Sequence, residues 1–327
     1  MDLKNYNIAD ISYLSKVKDT KFSPVFIMAD HRSGTTLLYQ TLAKTQKLNY
    51  IKAYHIIDYH KIVSNFIDRT EEKAIAELEN IFQVKGIGAR EIDRVPATPH
   101  LPEEYGFILK NSGYDSQITP KNLPLFIELC QKIQLISDPE KLLLLKNPWD
   151  YPQFSYVKKA LPQAKFIFIH RHPLQMMNSK IKAARTLLSQ WNEYTALISK
   201  QYREIWKKAR LRYLYRFYYS QFFELGLRKV FKDTIESTNY FLENISALSP
   251  ADYINIKFEE LCQEPEATIG NILEFLDLTP PETIDCDIQP RPVQLLPEIE
   301  RNTDRICDRL QPYLTALGYD RSSTGCG

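Results

Sequence analysis

The segment ADHRSGTTLLYQTL, residues 29–42, contains the residue types of an anion-binding turn. It follows an apolar run and opens a helical pattern, which predicts a strand that turns into a helix. Such a turn presents unpaired backbone N–H groups and the positive end of the helix dipole. Arg32 would add a charged fork of donors, and Gly34 would allow close backbone approach. With the hydroxyls of Thr35 and Thr36, the segment predicts a cradle for a phosphate-like anion.

Two other interpretations of these residues stay open. Taken alone, they fit an ordinary helix start in which Ser33 is the N-cap and Arg32 is solvated. The nucleotide P-loop, GxxxxGKS/T, fits less well, because its first glycine and the lysine before the threonines are missing here. We therefore expect the loop to bind something other than the tail of a nucleoside triphosphate.

A second segment, AKFIFIHRHPLQMMNS at 164–179, carries another pair of polar residues. Arg171 follows an apolar run, and Ser179 comes eight positions later on a predicted helix. An arginine at a strand end and a serine two helical turns further along can both face one phosphate above the sheet edge. Separately, Arg171 could form a surface salt bridge and Ser179 could face solvent.

Together the two segments resemble the phosphate-binding elements of sulfotransferases that use 3′-phosphoadenosine 5′-phosphosulfate (PAPS). Residues 29–36 are similar to the Gly-x-Pro-Arg-Ser-Gly-Thr-Thr loop of that family, with Ala29 in place of glycine and His31 in place of proline. Residues 164–179 are similar to its strand-Arg-Asp-Pro segment with a following helical serine, and His172 replaces the aspartate.

The resemblance implies which residues hold the donor. Arg32 and the backbone from Ser33 to Thr36 would bind the 5′-phosphosulfate, and Arg171 and Ser179 would bind the 3′-phosphate. PAPS would be the co-substrate and adenosine 3′,5′-bisphosphate (PAP) the product. Sulfuryl transfer needs positioning, charge stabilisation and one base, so no metal is expected.

Further segments extend the resemblance to the broad bacterial branch of the family. They are LLLLKNPWDYPQFSYVKKALPQAKFIFIHRHP (142–173), YINIKFEELCQEPEATIGNILEFLDL (253–278) and YLTALGYD (313–320). The resemblance implies that Lys146 neutralises the transferring group beside Arg32, although a lysine at this place could also extend from the sheet edge into solvent. With gaps, it covers 23–55 and 142–320.

The catalytic base has two candidate sources. Several relatives place a glutamate shortly after the first helix, where this chain has His55 in NYIKAYHIIDYHKI. PHLPEEYGFIL at 99–109 resembles a Pro-Glu-Glu stretch of the bacterial branch and supplies Glu103 and Glu104. An imidazole and a carboxylate can both accept a proton. A single histidine is often only packed, and carboxylates beside a helix start often only cap it.

Two other functions stay open beside sulfuryl transfer. A P-loop-like kinase would use the same cradle for ATP, but it would carry a loop lysine and an acidic strand end for Mg²⁺, which we do not see. A non-catalytic protein that binds an adenosine bisphosphate would keep Arg32, Arg171 and Ser179 and lack the base.

Alternating strands and helices must position these residues. The predicted strands are 25–29, 141–147, 164–170 and 252–258, and the predicted helices are 34–46, about 151–161, 173–189 and 258–276. This order predicts an α/β fold with a mainly parallel central sheet flanked by helices. The resemblance implies a P-loop-like three-layer fold. We expect one domain over 1–327, with helical insertions near 60–140 and 187–248.

The stretch 202–231 in the second insertion is dense in aromatic and basic residues. Such a helix usually buries its aromatic stripe against a sheet, which is our expectation here. The alternatives are a wall of an acceptor pocket or contact with a lipid surface.

Composition limits the partners and the location. The 327 residues include 42 Lys and Arg and 40 Asp and Glu, a net charge of +2, so bulk charge indicates no nucleic-acid or membrane partner. The N-terminal sequence lacks the pattern of a signal peptide, and no run of eighteen apolar residues predicts a membrane span. The five cysteines lack CxxC spacing, which favours reduced thiols over a disulfide framework or a zinc site. We expect a cytoplasmic protein whose acceptor is a small molecule, lipid, carbohydrate or peptide.

Overall fold

The computed structural model describes residues 9–90, 92–93, 95–286, 288 and 293–321. Its strands are β1 (Pro24–Met28), β2 (Asn49–Tyr50), β3 (Ala89–Arg90), β4 (Val95–Pro96), β5 (Leu143–Lys146), β6 (Lys165–His170) and β7 (Tyr253–Lys257). Its helices are α1 (Leu14–Lys18), α2 (Thr35–Lys44), α3 (Ala53–Ile57), α4 (Ile62–Ile67), α5 (Glu71–Val84), α6 (Gly106–Asn111), α7 (Leu123–Leu135), α8 (Phe154–Ala160), α9 (Pro173–Ser189), α10 (Glu193–Ile198), α11 (Lys200–Lys207), α12 (Ala209–Tyr218), α13 (Leu225–Asn244), α14 (Phe258–Gln263), α15 (Pro265–Phe275), α16 (Pro297–Glu300), α17 (Thr303–Arg309) and α18 (Gln311–Ala316).

The main sheet is parallel, with the strand order β2-β5-β1-β6-β7. β1 lies in its middle, where Phe26 is opposite Leu145 of β5 on one side and Phe166 of β6 on the other. Every residue of β1 is buried, as expected for a parallel strand that is covered on both faces. The loops after β1, β5 and β6 therefore leave the sheet at the same edge.

Alternate residues of the sheet contribute to two apolar cores on its opposite faces. Phe26, Leu145 and Phe166 pack in one core with residues of α7, α8 and α13. Ile27 and Ile167 pack in the other core with residues of α2, α14 and α15. Helices thus cover both faces of the sheet, which confirms the predicted three-layer α/β fold.

Most predicted elements that frame the sheet are present. The four predicted strands correspond to β1, β5, β6 and β7, and α9 has the predicted bounds. The helix predicted over 258–276 is wrong as a single element. It is divided into α14 and α15 before Pro265, which has no N–H with which to continue the helical hydrogen bonds. No sequence pattern indicates β2, β3 and β4, because two-residue strands have no measurable period.

The stretch 187–248 is largely helical, whereas α4, α5, α6 and α7 cover just under half of 60–140, which also contains β3 and β4. In the second stretch, α12 departs from expectation. The aromatic stripe of 202–231 is expected to be buried, yet no residue of α12 is buried. That expectation is therefore wrong for α12. Within the described ranges, no helix combines the length and apolar character required to cross a membrane.

Candidate functional site

The loop between β1 and α2, for which the sequence predicts an anion cradle, turns through left-handed backbone conformations. Arg32 at φ 70° and Gly34 at φ 96° both have left-handed conformations. A Cβ on Gly34 would lie 2.1 Å from the Phe258 ring, so a side chain there would overlap it. Gly34 is the N-cap of α2 and no side chain caps this helix, while the Ser33 hydroxyl lies 3.2 Å from the sulfur of Met176. The interpretation as a helix start capped by Ser33 is therefore wrong.

The two segments for which the sequence predicts phosphate binding, 29–42 and 164–179, meet at this edge of the sheet. Because β1 and β6 are neighbours, the loop after β1 lies beside the start of α9. The Nε of Arg32 donates a hydrogen bond to Ser179 Oγ at 3.0 Å. A guanidinium nitrogen of Arg171 donates to the backbone oxygen of Arg32 at 3.3 Å. The structure thus brings Arg32, Arg171 and Ser179 together at one edge of the sheet.

Arg171 is held in place on two sides. Two of its guanidinium nitrogens donate to Gln175 Oε1, each at 3.2 Å. Its guanidinium also lies over the ring of Phe258, 4.3 Å from the ring centroid. Phe258 therefore touches both halves of the site, because the same ring occupies the space next to Gly34. Sequence reasoning did not identify Gln175 or Phe258, since neither belongs to the pattern of residues that bind phosphate.

Lys146, the last residue of β5, contacts both the first turn of α2 and a carboxylate. It is 1% exposed, and its Nζ donates to Thr36 Oγ1 at 3.0 Å and pairs with Glu104 at 2.8 Å. Burial alone would raise the pKa of Glu104, but Lys146, His31 and Arg90 together hold that pKa below its ordinary value. Glu104 is therefore a charged carboxylate at neutral pH, and it contacts the buried ammonium group of Lys146.

Glu103 has a different environment from its neighbour. It is fully buried, pairs with Arg90 at 2.8 Å and accepts a hydrogen bond from the Tyr194 hydroxyl at 2.6 Å. Arg90 in turn reaches Thr36 Oγ1 at 3.5 Å. Glu103 thus secures the insertion next to the cradle, whereas Glu104 faces Lys146. Arg90 gives no signal in the sequence, because it lies in a two-residue strand without a motif.

The structure places His55 in the capping box of α3. Its Nδ1 accepts a hydrogen bond from the backbone N–H of Lys52 at 3.1 Å. Burial, assisted by the charges of Lys52 and His100, lowers its pKa well below the ordinary value. In the described part of the chain, no hydrogen bond or ion pair joins His55 to Lys146 or Glu104. The two candidate bases therefore occupy different environments, and only Glu104 contacts the lysine.

His31 and Asp30 lie in the loop and add groups that sequence reasoning left without a role. The His31 ring meets the Trp149 ring edge-on, with centroids 4.8 Å apart. Burial lowers the pKa of His31, although Glu104 and Asp30 oppose that effect. Asp30 is paired with Lys180 at 2.6 Å, so its charge is compensated. The signal for His31 is its position, since it replaces the proline of the family loop.

Several cations lie around the loop between β1 and α2 at this edge of the sheet. Arg32, Lys146 and Arg171 supply three of these cations, and the Phe258 ring fills the space that a Cβ on Gly34 would take. Among the described residues, no group of three or more His, Cys, Asp or Glu is arranged to hold a metal ion.

The chain is similar to known proteins in its fold, and one family model matches its sequence. The model of the sulfotransferase family matches residues 24–282. The crystal structure of sulfotransferase STF9 from Mycobacterium avium matches with a TM-score of 0.63 and 14% identity, over 95% of this chain and 81% of that chain. Sulfotransferase STF1 from Mycobacterium tuberculosis H37Rv matches with a TM-score of 0.53 and 15% identity, over 83% and 72%. At these identities the likeness shows a shared fold. No curated protein sequence matches the chain.

Proposed function

The chain belongs to the sulfotransferase family, and from this premise we propose that it transfers a sulfuryl group from PAPS to a hydroxyl or amine acceptor by in-line displacement. The family match makes the chain a sulfotransferase; the identity of the donor is our inference. Bound PAPS supplies an activated sulfuryl group, whose S–O bond to phosphate breaks as the bond to the acceptor forms. No observation favours the kinase or the non-catalytic binding protein.

The observation that carries the choice of donor is the contact between Arg32 and Ser179. The hydrogen bond of 3.0 Å means that one nucleotide can touch the loop after β1 and the helix after β6 at the same time. Arg32 and the backbone from Ser33 to Thr36 would hold the 5′-phosphosulfate. Arg171 and Ser179 would hold the 3′-phosphate. A donor with phosphates at both ends of its ribose is the ligand that uses both segments.

Positioning and charge stabilisation account for most of the rate of such a transfer. The group that moves is anionic, and the leaving bisphosphate gains charge. Arg32 would stabilise the leaving oxygen from the loop. Lys146 would neutralise the oxygens of the sulfuryl group, because its ammonium already lies 3.0 Å from Thr36 in the first turn of α2.

We propose Glu104 as the base that accepts the proton of the acceptor. Its pKa is held low chiefly because Lys146 opposes the effect of burial. When the ammonium of Lys146 turns toward the sulfuryl oxygens, Glu104 loses part of this compensation while its burial remains. Its pKa then rises, and the carboxylate becomes a stronger base at the moment when the proton must leave. His55 has no such link to Lys146.

We propose a specific donor but only a broad class of acceptor. A small molecule, lipid, carbohydrate or peptide with a hydroxyl or amine would satisfy the chemistry. The Trp149 ring contacts the ring of His31, whose pKa responds to the charges of Glu104 and Lys146. The Phe107 ring lies next to Trp149, with centroids 6.0 Å apart. These rings support an acceptor with an apolar part. The cytoplasmic location expected from the N-terminal sequence stays a prediction.

A mass-spectrometric screen tests the proposed function. Cell metabolites are incubated with the enzyme and PAPS, and products that gain one SO₃ are sought. We expect such products from the wild type and their loss with Arg32→Ala. PAP should raise the Tm of the wild type, while ATP with Mg²⁺ should not. A protein that is stabilised by ATP with Mg²⁺ but not by PAP would overturn the choice of donor.

A further inference from the structure

The helix α12 directs apolar side chains away from the protein. Tyr213, Leu214 and Phe217 have the spacing of one helical face and are 62%, 61% and 51% exposed. Phe222 and Phe223, just beyond the helix, are 80% and 55% exposed. The rings of Phe217 and Phe223 lie 5.0 Å apart, so the helix and the following turn form one surface. We call these five residues the α12 patch; continuous exposed apolar groups of this kind mark an interaction site.

Two of the three arginines of the same helix, Arg212 and Arg216, donate hydrogen bonds to the protein backbone. Arg216 donates to the backbone oxygens of Leu188 and Ser189, at the end of α9, at 2.5 and 2.8 Å. Arg212 donates to the backbone oxygen of Trp206 at 3.0 Å. An ordinary surface helix buries its apolar face and hydrates its cations. In α12 the apolar face is exposed while two of the arginines are bonded to the protein, which indicates that the apolar face meets something other than water.

Charge identifies the kind of surface that fits the patch. Residues 205–223 contain five cations and no Asp or Glu, the cations being Lys207, Lys208, Arg210, Arg212 and Arg216. Arg210 is exposed and lies three and four residues before Tyr213 and Leu214, on the same helical face. In the described residues Arg210 takes part in no ion pair. The outer face therefore combines apolar rings with an uncompensated cation.

We infer that the α12 patch docks the enzyme on an anionic phospholipid bilayer, with α12 lying in the plane of the interface. The boundary between headgroups and acyl chains accepts Tyr, Leu and Phe side chains, and anionic headgroups attract cations placed among them. A lipid surface also adapts to a short helix without the shape complementarity that a folded partner requires. The inference is independent of the identity of the sulfuryl donor and acceptor.

Flotation of the protein with vesicles tests this inference. Vesicles of phosphatidylcholine alone are compared with vesicles that also contain phosphatidylglycerol. We expect binding to the anionic vesicles only, and weaker binding at high salt. The triple variant Tyr213→Ser/Leu214→Ser/Phe217→Ser should lower the partition coefficient by about tenfold or more. Arg210→Gln, which removes one charge, should lower it by about fivefold at low salt.

A matched control replaces exposed aliphatic residues elsewhere. Ile81 and Val84 on α5 are 42% and 79% exposed, and Ile81→Ser/Val84→Ser should bind vesicles like the wild type. Circular dichroism and Tm show that each variant is folded. Absence of binding to anionic vesicles at low salt would overturn the inference, as would equal binding by the triple variant. A concentration-dependent dimer that the triple variant loses, without vesicle binding, would assign the patch to a second copy of the chain instead.

Discussion

Arg32 and Ser179 are 147 residues apart in the chain, and their side chains are joined by a hydrogen bond of 3.0 Å. The contact exists because β1 and β6 are adjacent, so that the loop after one strand lies against the helix after the other. Two short patterns that are each ambiguous in the sequence thereby become one site.

Replacement of Arg171 should weaken the binding of PAP without unfolding the protein. In Arg171→Gln the charged donors toward the 3′-phosphate are lost, and we expect PAP affinity to fall by about tenfold to a hundredfold. Isothermal titration calorimetry measures the change. Arg309→Gln, at an exposed position on α17, is the matched control and should bind PAP normally. Unchanged affinity in Arg171→Gln would place the 3′-phosphate elsewhere.

Replacement of Gln175 should separate the positioning of Arg171 from its charge. Gln175→Leu removes the oxygen that accepts two hydrogen bonds from Arg171, while the guanidinium itself remains. We expect PAP affinity to fall by about tenfold or less, a smaller loss than in Arg171→Gln. Gln175→Glu, which restores an acceptor at the same place, should recover the orientation of Arg171. An effect in Gln175→Leu as large as that of Arg171→Gln would assign Gln175 a direct contact with the nucleotide.

Glu104 and His55 can be distinguished by their effects on kcat. Glu104→Gln keeps the shape beside Lys146 but cannot accept a proton, and we expect kcat to fall by about a hundredfold or more with PAP affinity retained. His55→Gln keeps a side chain that suits this position of a capping box, so kcat should change by less than about threefold. Steady-state kinetics with saturating PAPS measure both. A large loss of kcat in His55→Gln alone, with normal Tm, would transfer the role of base to His55.

A residue of this site can be predicted from the sequence when it belongs to a short pattern of neighbouring residues. Gly34, Arg32 and Ser179 belong to short patterns that directly follow apolar strands, and those strands have the strongest signal in the chain. Lys146 is found for the same reason. The pairing of Lys146 with Glu104 cannot be predicted, because it depends on how the insertion that contains Glu104 folds over the cradle.

Residues that act through other side chains are missed for a related reason. Gln175, Phe258 and Arg90 acquire their roles only from tertiary contacts, and a single sequence does not record these. The aromatic pattern of α12 is visible in the sequence, but amphipathicity does not tell which medium the apolar face meets. The structure leaves this face exposed, contrary to the ordinary expectation for a globular helix.

Gly34 should tolerate no side chain. Gly34→Ala places a Cβ at 2.1 Å from the Phe258 ring and imposes a left-handed φ on alanine, which costs about 1 to 2 kcal/mol before any overlap is counted. We expect a lower Tm and loss of PAP binding. Phe258→Ala removes the overlap but also a buried ring that packs on Arg171, so the loss of Tm in the double variant should be smaller than the sum of the losses in the two single variants. A Gly34→Ala enzyme that binds PAP normally would contradict the geometry of the loop.

The buried His170 should make the fold sensitive to mild acid. Its Nδ1 lies 2.9 Å from the Tyr313 hydroxyl and its Nε2 lies 3.1 Å from Asn255 Oδ1, and burial lowers its pKa to about 4. An unfolded histidine titrates near about 6.5, so below that pH the unfolded chain binds a proton that the folded chain excludes. The free energy of unfolding should therefore fall between about pH 6.5 and about pH 4, by up to about 3 kcal/mol from this group.

Urea unfolding at a series of pH values measures this effect. His55 has a pKa lowered in the same direction, so the wild type should lose more stability than His170 alone explains. His170→Gln should be less stable than the wild type at neutral pH, because a buried group is replaced, yet its stability should change less on acidification. His100→Gln, at an exposed position, removes only the smaller of the two charge effects on the pKa of His55 and should keep most of the acid sensitivity of the wild type. If His170→Gln and the wild type lose stability in parallel, His170 is protonated in the folded protein and its buried hydrogen bonds must differ from those described.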